Sequence, residues 1–148
     1  MNARTGRVLG LDLGDVRIGV AISDPDRRVA VSIGTVHVGR PPGELLAIAE
    51  LVREHDATEI VIGEPIALDG SRGARASHAA AFAEAVRAVV EVPVVLHDER
   101  LSTVEAARGL REAGMDAKRQ REVIDESAAR VILQSWLDVE RGRTRAEG

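Results

Sequence analysis

The sequence predicts an α/β fold built on a mixed sheet with helices on both faces. Two features carry that expectation: three apolar stretches joined by tight turns in the first third of the chain, and strand–helix alternation after Pro41–Pro42. Length bounds it. A chain of 148 residues is common for one domain and buries enough surface to fold without disulfide or structural metal. No repeat, linker or low-complexity segment interrupts it, so residues 1–148 are expected to form a single domain, with 141–148 a frayed tail.

Each element has a local reason. Arg7–Leu13 is an apolar run that stops at the turn signal Gly14–Asp15. Arg17–Ser23 is the second strand and ends at Asp24–Pro25–Asp26; Val29–Val38, rich in Val and Ile, is the third, completing an antiparallel meander. Leu45, Leu46, Ile48, Ala49, Leu51 and Val52 then follow a helical period. Glu59–Gly63 is short and continuously apolar after its first residue, as in a strand buried on both faces. The loop Asp69–Gly73 leads into an Ala-rich helix from about Ala76 to Val90, and Pro93–His97 is a second buried strand. Ser102–Thr–Val–Glu105 matches a capping box, which explains both polar residues without catalysis. A last helix is expected from about Arg119 to Glu140.

Composition narrows function. One Phe, one Trp and no Tyr leave Val, Ile, Leu and Ala to fill the core and exclude modules that stack bases on aromatic platforms. A net charge of −4 excludes attachment to nucleic acid by bulk charge, though not a local basic surface. Without cysteine there is no thiol nucleophile and no cysteine zinc site. The N-terminus does not read as a signal peptide and no apolar run is long enough for a membrane span, so a cytoplasmic protein without membrane contact is expected.

Acidic residues fall where this layout brings them together. Asp12 lies near the end of the first strand, Asp98 and Glu99 follow the last strand, and Asp125 shares a helical face with Ala129, Ile132 and Trp136. Ala128 and Ala129 are small enough to let that helix approach the sheet closely. A carboxylate on an apolar face is costly unless paired or metal-bound. Clustered carboxylates repel, and hard divalent cations such as Mg²⁺ relieve the repulsion. One or two such ions suit hydrolysis of a phosphodiester backbone. Each residue also has an ordinary reading: Asp12 as a turn former, Glu99 as a partner of Arg100, Asp125 on a solvated face, and His97 as a packed histidine.

Four blocks in order carry a resemblance. Gly10–Leu–Asp–Leu–Gly–Asp–Val–Arg–Ile–Gly–Val–Ala–Ile–Ser–Asp24, Val61–Gly70, Asp98–Ala106 and Asp125–Asp138 are similar to the motifs of the YqgF (RuvX-like) family, described as Holliday junction resolvases and as pre-16S ribosomal RNA nucleases. The resemblance spans about residues 7–140. It implies a ribonuclease H-like fold with a five-stranded sheet of order 3-2-1-4-5. It implies an endonuclease dependent on Mg²⁺ or Mn²⁺ and acting on pre-16S rRNA or branched DNA. Asp12, Glu99 and Asp125 match the family's acidic positions and would be catalytic and metal-binding, with Asp98 beside them. One departure is Glu64, at a strand end where the family has an apolar residue; it is a candidate to supplement or replace Glu99.

Phosphate contacts would come from Arg and main-chain N–H groups. Of the 20 Lys and Arg residues only Lys118 is lysine. Arg17, Arg72, Arg75, Arg100, Lys118 and Arg119 border the expected acidic cluster, with Arg121 near them, and the Asp69–Gly73 loop is a plausible clamp. Two other readings stay open: a non-catalytic nucleic-acid-binding or scaffold member of the family, and an actin-like or sugar-kinase phosphate-binding fragment, for which 148 residues leave no second lobe. A monomer or weak homodimer is expected; nothing in the sequence marks a dimer face.

Overall fold

The structure is a computed structural model. It describes residues 5–39, 43–67, 69–101 and 117–147, apart from the side chains of 117–127 and 144–147. The expected capping box at 102–105 lies outside the described residues.

The meander forms as the turn signals require. β1 (Arg7–Leu13) pairs antiparallel with β2 (Arg17–Ser23), and β2 with β3 (Ala30–His37). α1 (Gly43–Glu54) leads to β4 (Ala57–Glu64), and α2 (Ala74–Arg87) leads to β5 (Val94–Asp98). β4 pairs parallel with both β1 and β5, so the sheet order is β3-β2-β1-β4-β5, the expected five-stranded mixed sheet. A short 3₁₀ turn, Glu99–Leu101, follows β5, and α3 spans Ala117–Glu147. The sequence placed the end of this helix near Glu140 and a frayed tail beyond it. The helix instead continues to Glu147, supported by Arg141 bonded to Asp138 and by Arg143 on Glu140 at 3.2 Å.

The two faces are covered differently. Leu9, Leu11, Ile60 and Ile62 point towards α1 and α2 and pack with Ile48, Ala83 and Val86. Val8 and Val61 point the other way and pack under Ala129, Ile132, Leu133, Trp136 and Leu137 of α3. Ala128 and Ala129 are buried, and the approach of α3 is close: a Cβ on Gly10 would stand 2.7 Å from the Leu133 Cβ. Only glycine fits that position. The C-terminal half of α3 is tied to the β2–β3 turn, where Gln134 Nε2 donates to the Arg28 carbonyl and Gln134 Oε1 accepts from the Ala30 N–H, both at 2.9 Å. That turn lies at the N-terminal end of β1, so α3 runs back across the sheet and its earlier turns lie towards the C-terminal end of β1. Among the described residues no helix is long and apolar enough to cross a membrane.

Candidate active site

β1 and β4 run parallel at the point where the sheet changes direction, and the C-terminal ends of such strands form the natural ligand crevice of an α/β sheet. Asp12 stands at this end of β1. Alternation puts it on the α3 face with Val8 and Gly10, and it is 2% exposed. Leu11 pairs with Ile62, so Asp12 and Gly63 are the next residues along adjacent strands. Glu99, 8% exposed, folds back from the 3₁₀ turn onto Gly63. A Cβ at Gly63 would stand 3.0 Å from Glu99 Oε1 and 2.6 Å from Ile132 Cδ1. The missing side chain at Gly63 is thus what admits Glu99 beneath α3. Two buried carboxylates from distant parts of the chain thus lie on one face: Asp12 at the end of β1, and Glu99, from the turn after β5, over Gly63 at the end of β4. Asp125 lies in α3 one helical turn before Ala129; its side chain is outside the described residues.

Asp98 and Glu64 are turned elsewhere. They pair in register across β4 and β5, and alternation puts both on the face of Ile60 and Ile62, opposite Asp12. Asp98 binds Arg100: Nε reaches its two oxygens at 3.1 and 3.0 Å, Nη2 reaches Oδ2 at 2.7 Å, and the Arg100 backbone N–H donates to Oδ1 at 2.9 Å. These bonds hold the Asp98 carboxyl below its ordinary range, the Arg100 side chain being the main cause. Glu64 accepts two longer contacts from the exposed Arg72, at 3.3 and 3.5 Å.

A cleft of about 250 Å³ opens beside Glu99 between the β1–β2 turn and the start of α2, lined by Leu13, Gly14, Asp15, Gly63, Arg75 and His78 among others. Arg75 is therefore on the same opening as Glu99. Arg17 closes the β1–β2 turn, where its carbonyl accepts from the Gly14 N–H at 3.0 Å. Lys118 and Arg119 belong to the first turn of α3, with side chains outside the described residues. A larger opening of about 500 Å³ wraps the β5 edge and carries the Glu64–Arg72 and Asp98–Arg100 pairs.

Two features escaped the sequence. The first is a relay behind β5: Ser135 Oγ on α3 donates to the Leu101 carbonyl at 2.7 Å, leaving its oxygen to accept from His97 Nε2 at 2.9 Å. Burial lowers the His97 pKa, partly offset by Asp98, which fits a neutral ring donating through Nε2. The second is Arg27, at φ 58° in the β2–β3 turn, which donates to Glu59 Oε1, Thr58 Oγ1 and the Gly6 carbonyl at 2.8–2.9 Å. Neither left a local signal, because each joins residues far apart in sequence.

Among the described residues no three His, Asp or Glu side chains form a metal-binding group. The two carboxylates at the strand ends nonetheless fit a hard cation in chemistry: both are oxygen donors, both are buried, and Gly63 leaves the space between strand and helix open to Glu99.

A 3-2-1-4-5 mixed sheet with carboxylates gathered at the C-terminal ends of its central strands defines a ribonuclease H-like protein. A family model described as "RuvX: Holliday junction resolvase" matches residues 6–139, and the chain belongs to that family. A Mycobacterium leprae (strain TN) protein named "Putative pre-16S rRNA nuclease" is 50% identical over 147 residues, covering 99% of this chain and 80% of that one. A Rhodococcus opacus (strain B4) protein of the same name is 49% identical over 144 residues, covering 94% and 80%. Among solved structures, Thermus thermophilus RuvC in complex with Holliday junction substrate aligns with a TM-score of 0.54 over 93% of this chain and 96% of that one. At 15% identity that likeness shows the shared fold alone.

Proposed function

We propose that this chain is an endonuclease that hydrolyses phosphodiester bonds in structured nucleic acid with the help of Mg²⁺ or Mn²⁺. Its main substrate is the 5′ region of pre-16S ribosomal RNA, and branched DNA is the second. The observation that supports the reading is that Asp12 at the end of β1 and Glu99 over Gly63 at the end of β4 lie on one face, both buried. The family description and the relatives' names support the substrate classes.

Asp12 and Glu99, joined by Asp125 from α3, would hold one or two ions. A divalent ion supplies a water of lowered pKa and charge neutralisation at the leaving oxygen. The protein's own part is positioning. β1 and β4 are buried on both faces, so Asp12 is carried by the packed centre of the sheet. Arg75 at the cleft beside Glu99, Arg17 at the β1–β2 turn, and Lys118 and Arg119 from the first turn of α3 would hold substrate phosphates. Phosphate-led gripping agrees with the lack of Tyr and the single Phe and Trp: the enzyme recognises backbone shape rather than stacked bases. It works in the cytoplasm as a monomer or weak homodimer.

The test is cleavage of a pre-16S 5′ fragment and a four-way DNA junction side by side, with Mg²⁺, with Mn²⁺ and with EDTA. Cleavage only with metal, lost in Asp12→Asn, is expected. Full activity in EDTA, or an active Asp12→Asn protein, overturns the assignment. The ratio of rates on the two substrates decides between them.

A further inference from the structure

We propose that Asp98 and Arg100, together with His97 and Ser135, form a two-sided clamp that positions Glu99, and that Arg100 is a positioning residue rather than a phosphate ligand. This rests on the reading that Glu99 acts at the site, and it assigns Asp98 and Arg100 a role different from the catalytic and phosphate-binding roles that the sequence suggests for them.

The argument is the bonding of the residues on either side of Glu99. On one side, Arg100 delivers its Nε, its Nη2 and its backbone N–H to the Asp98 carboxylate, so that residues 98 and 100 close a ring around residue 99. On the other side, the Leu101 carbonyl accepts from Ser135 Oγ, which in turn accepts from His97 Nε2. Asp98 thus restrains the turn from the α1/α2 face and Ser135 from the α3 face. Between them Glu99 is turned onto Gly63 and buried, while Asp98 next to it remains on the opposite face. A turn held at 97, 98, 100 and 101 leaves its central residue one direction. Arg100 is also poorly disposed for phosphate. The Nε–Nη2 edge, which would grip an anion with two parallel bonds, is already on Asp98. Its Nη1 lies towards the Asp69–Gly73 loop, 3.7 Å from where a Gly70 Cβ would stand.

Three substitutions in the full chain test this. Arg100→Lys keeps the charge and loses the fork, Asp98→Asn weakens the ring, and Ser135→Ala breaks the inner tie. The first readout is the ¹³C carboxyl resonance of Glu99, assigned with Glu99→Gln. The second is affinity for the four-way junction and the RNA fragment across a salt series, in the Asp12→Asn background. The third is kcat and KM of the active protein. Each of the three variants is expected to shift the Glu99 resonance, and Arg100→Lys to lower kcat by about tenfold or more with KM held within about twofold, as misplacement of a reacting group does. In Arg100→Lys, affinity and its salt dependence stay unchanged. The proposal is overturned if Arg100→Lys keeps full kcat while Arg100→Ala weakens binding and reduces the salt slope by about 1, the behaviour of a phosphate contact. It is equally overturned if the Glu99 resonance does not move in Arg100→Lys and Asp98→Asn. A wild-type protein that cuts neither substrate removes the nuclease reading, and the resonance then decides the clamp by itself.

Discussion

Glu59 and Asp12 are buried acids on the α3 face of one sheet, at opposite ends of neighbouring strands. Glu59 is 1% exposed and Asp12 is 2% exposed. At the N-terminal end, the Arg27 guanidinium is brought to Glu59 at 2.9 Å and also satisfied by Thr58 and the Gly6 carbonyl. At the C-terminal end, a second carboxylate, Glu99 from the turn after β5, is folded over Gly63 on the strand next to Asp12. Equal burial therefore serves two purposes. An acid matched to a cation closes a seam between a turn and a strand, and its loss is felt in stability. Two buried acids gathered on one face offer oxygen donors that a divalent ion suits, and on the proposed nuclease reading their loss is felt in chemistry.

The largest effect expected from this contrast is at Asp12. Asp12→Asn should cut the metal-dependent cleavage rate by about a thousandfold or more, since it removes a carboxylate on which the ion and its water depend. It should do so with little change of Tm in EDTA, because Asn keeps the shape and volume of the buried Asp12 side chain. Cleavage kinetics and calorimetry on one preparation check both halves; a large fall in Tm would place Asp12 with Glu59 as a structural acid.

Arg27→Met is the converse. It removes the cation bonded to the buried Glu59 carboxyl, and should cost about 3–5 kcal/mol in denaturant unfolding. The folded fraction should keep its turnover. If instead stability holds and activity falls, the ends of the sheet are not independent.

A smaller, mixed effect is expected at Gly63, where the structure leaves no room for a side chain. Gly63→Ala puts a methyl group 2.6 Å from Ile132 Cδ1 and 3.0 Å from Glu99 Oε1. The overpacking should cost about 1–3 kcal/mol. Because Glu99 must yield, activity should drop as well, which separates this variant from Arg27→Met. Unfolding curves and kcat measured together show whether both fall.

The mildest test is pH. The His97 pKa is lowered below its ordinary 6.5 by burial. Below pH 6.5 the unfolded chain takes up a proton that the folded ring refuses, so stability should decline as pH falls through that value towards the folded pKa. His97→Gln should flatten this part of the stability–pH curve. The carboxylate of Asp98 acts lower: its stabilisation is present above the ordinary 3.8 and is lost as pH falls through its depressed folded value.

Much of this is legible in the sequence. Tight-turn residues at 14–15 and 24–26, and apolar runs at 7–13 and 59–63, place strands where they are found. Asp12 stood out because an acid within an apolar strand is costly without a purpose. The boundary of α3 was harder, since Arg and Glu at positions 140–147 read equally as a loose tail or as an exposed helix laced with i,i+3 pairs. The pair Asp98–Glu99 was legible only as a pair. Strand alternation and the 3₁₀ turn send neighbours to opposite faces, and no local pattern says which of them shares the face of Asp12.

Local chemistry therefore determined the elements, their order and the acids available, because turn residues, apolar period and the cost of buried charge act over a few residues. The tertiary structure decided which acids share a face, which are bound by arginine, and how Glu99 is aimed. Those outcomes depend on contacts made across the fold: Gly63 under Ile132, Ser135 on Leu101, and Arg27 on Glu59. Such contacts exist only once α3 and the turns have packed onto the sheet.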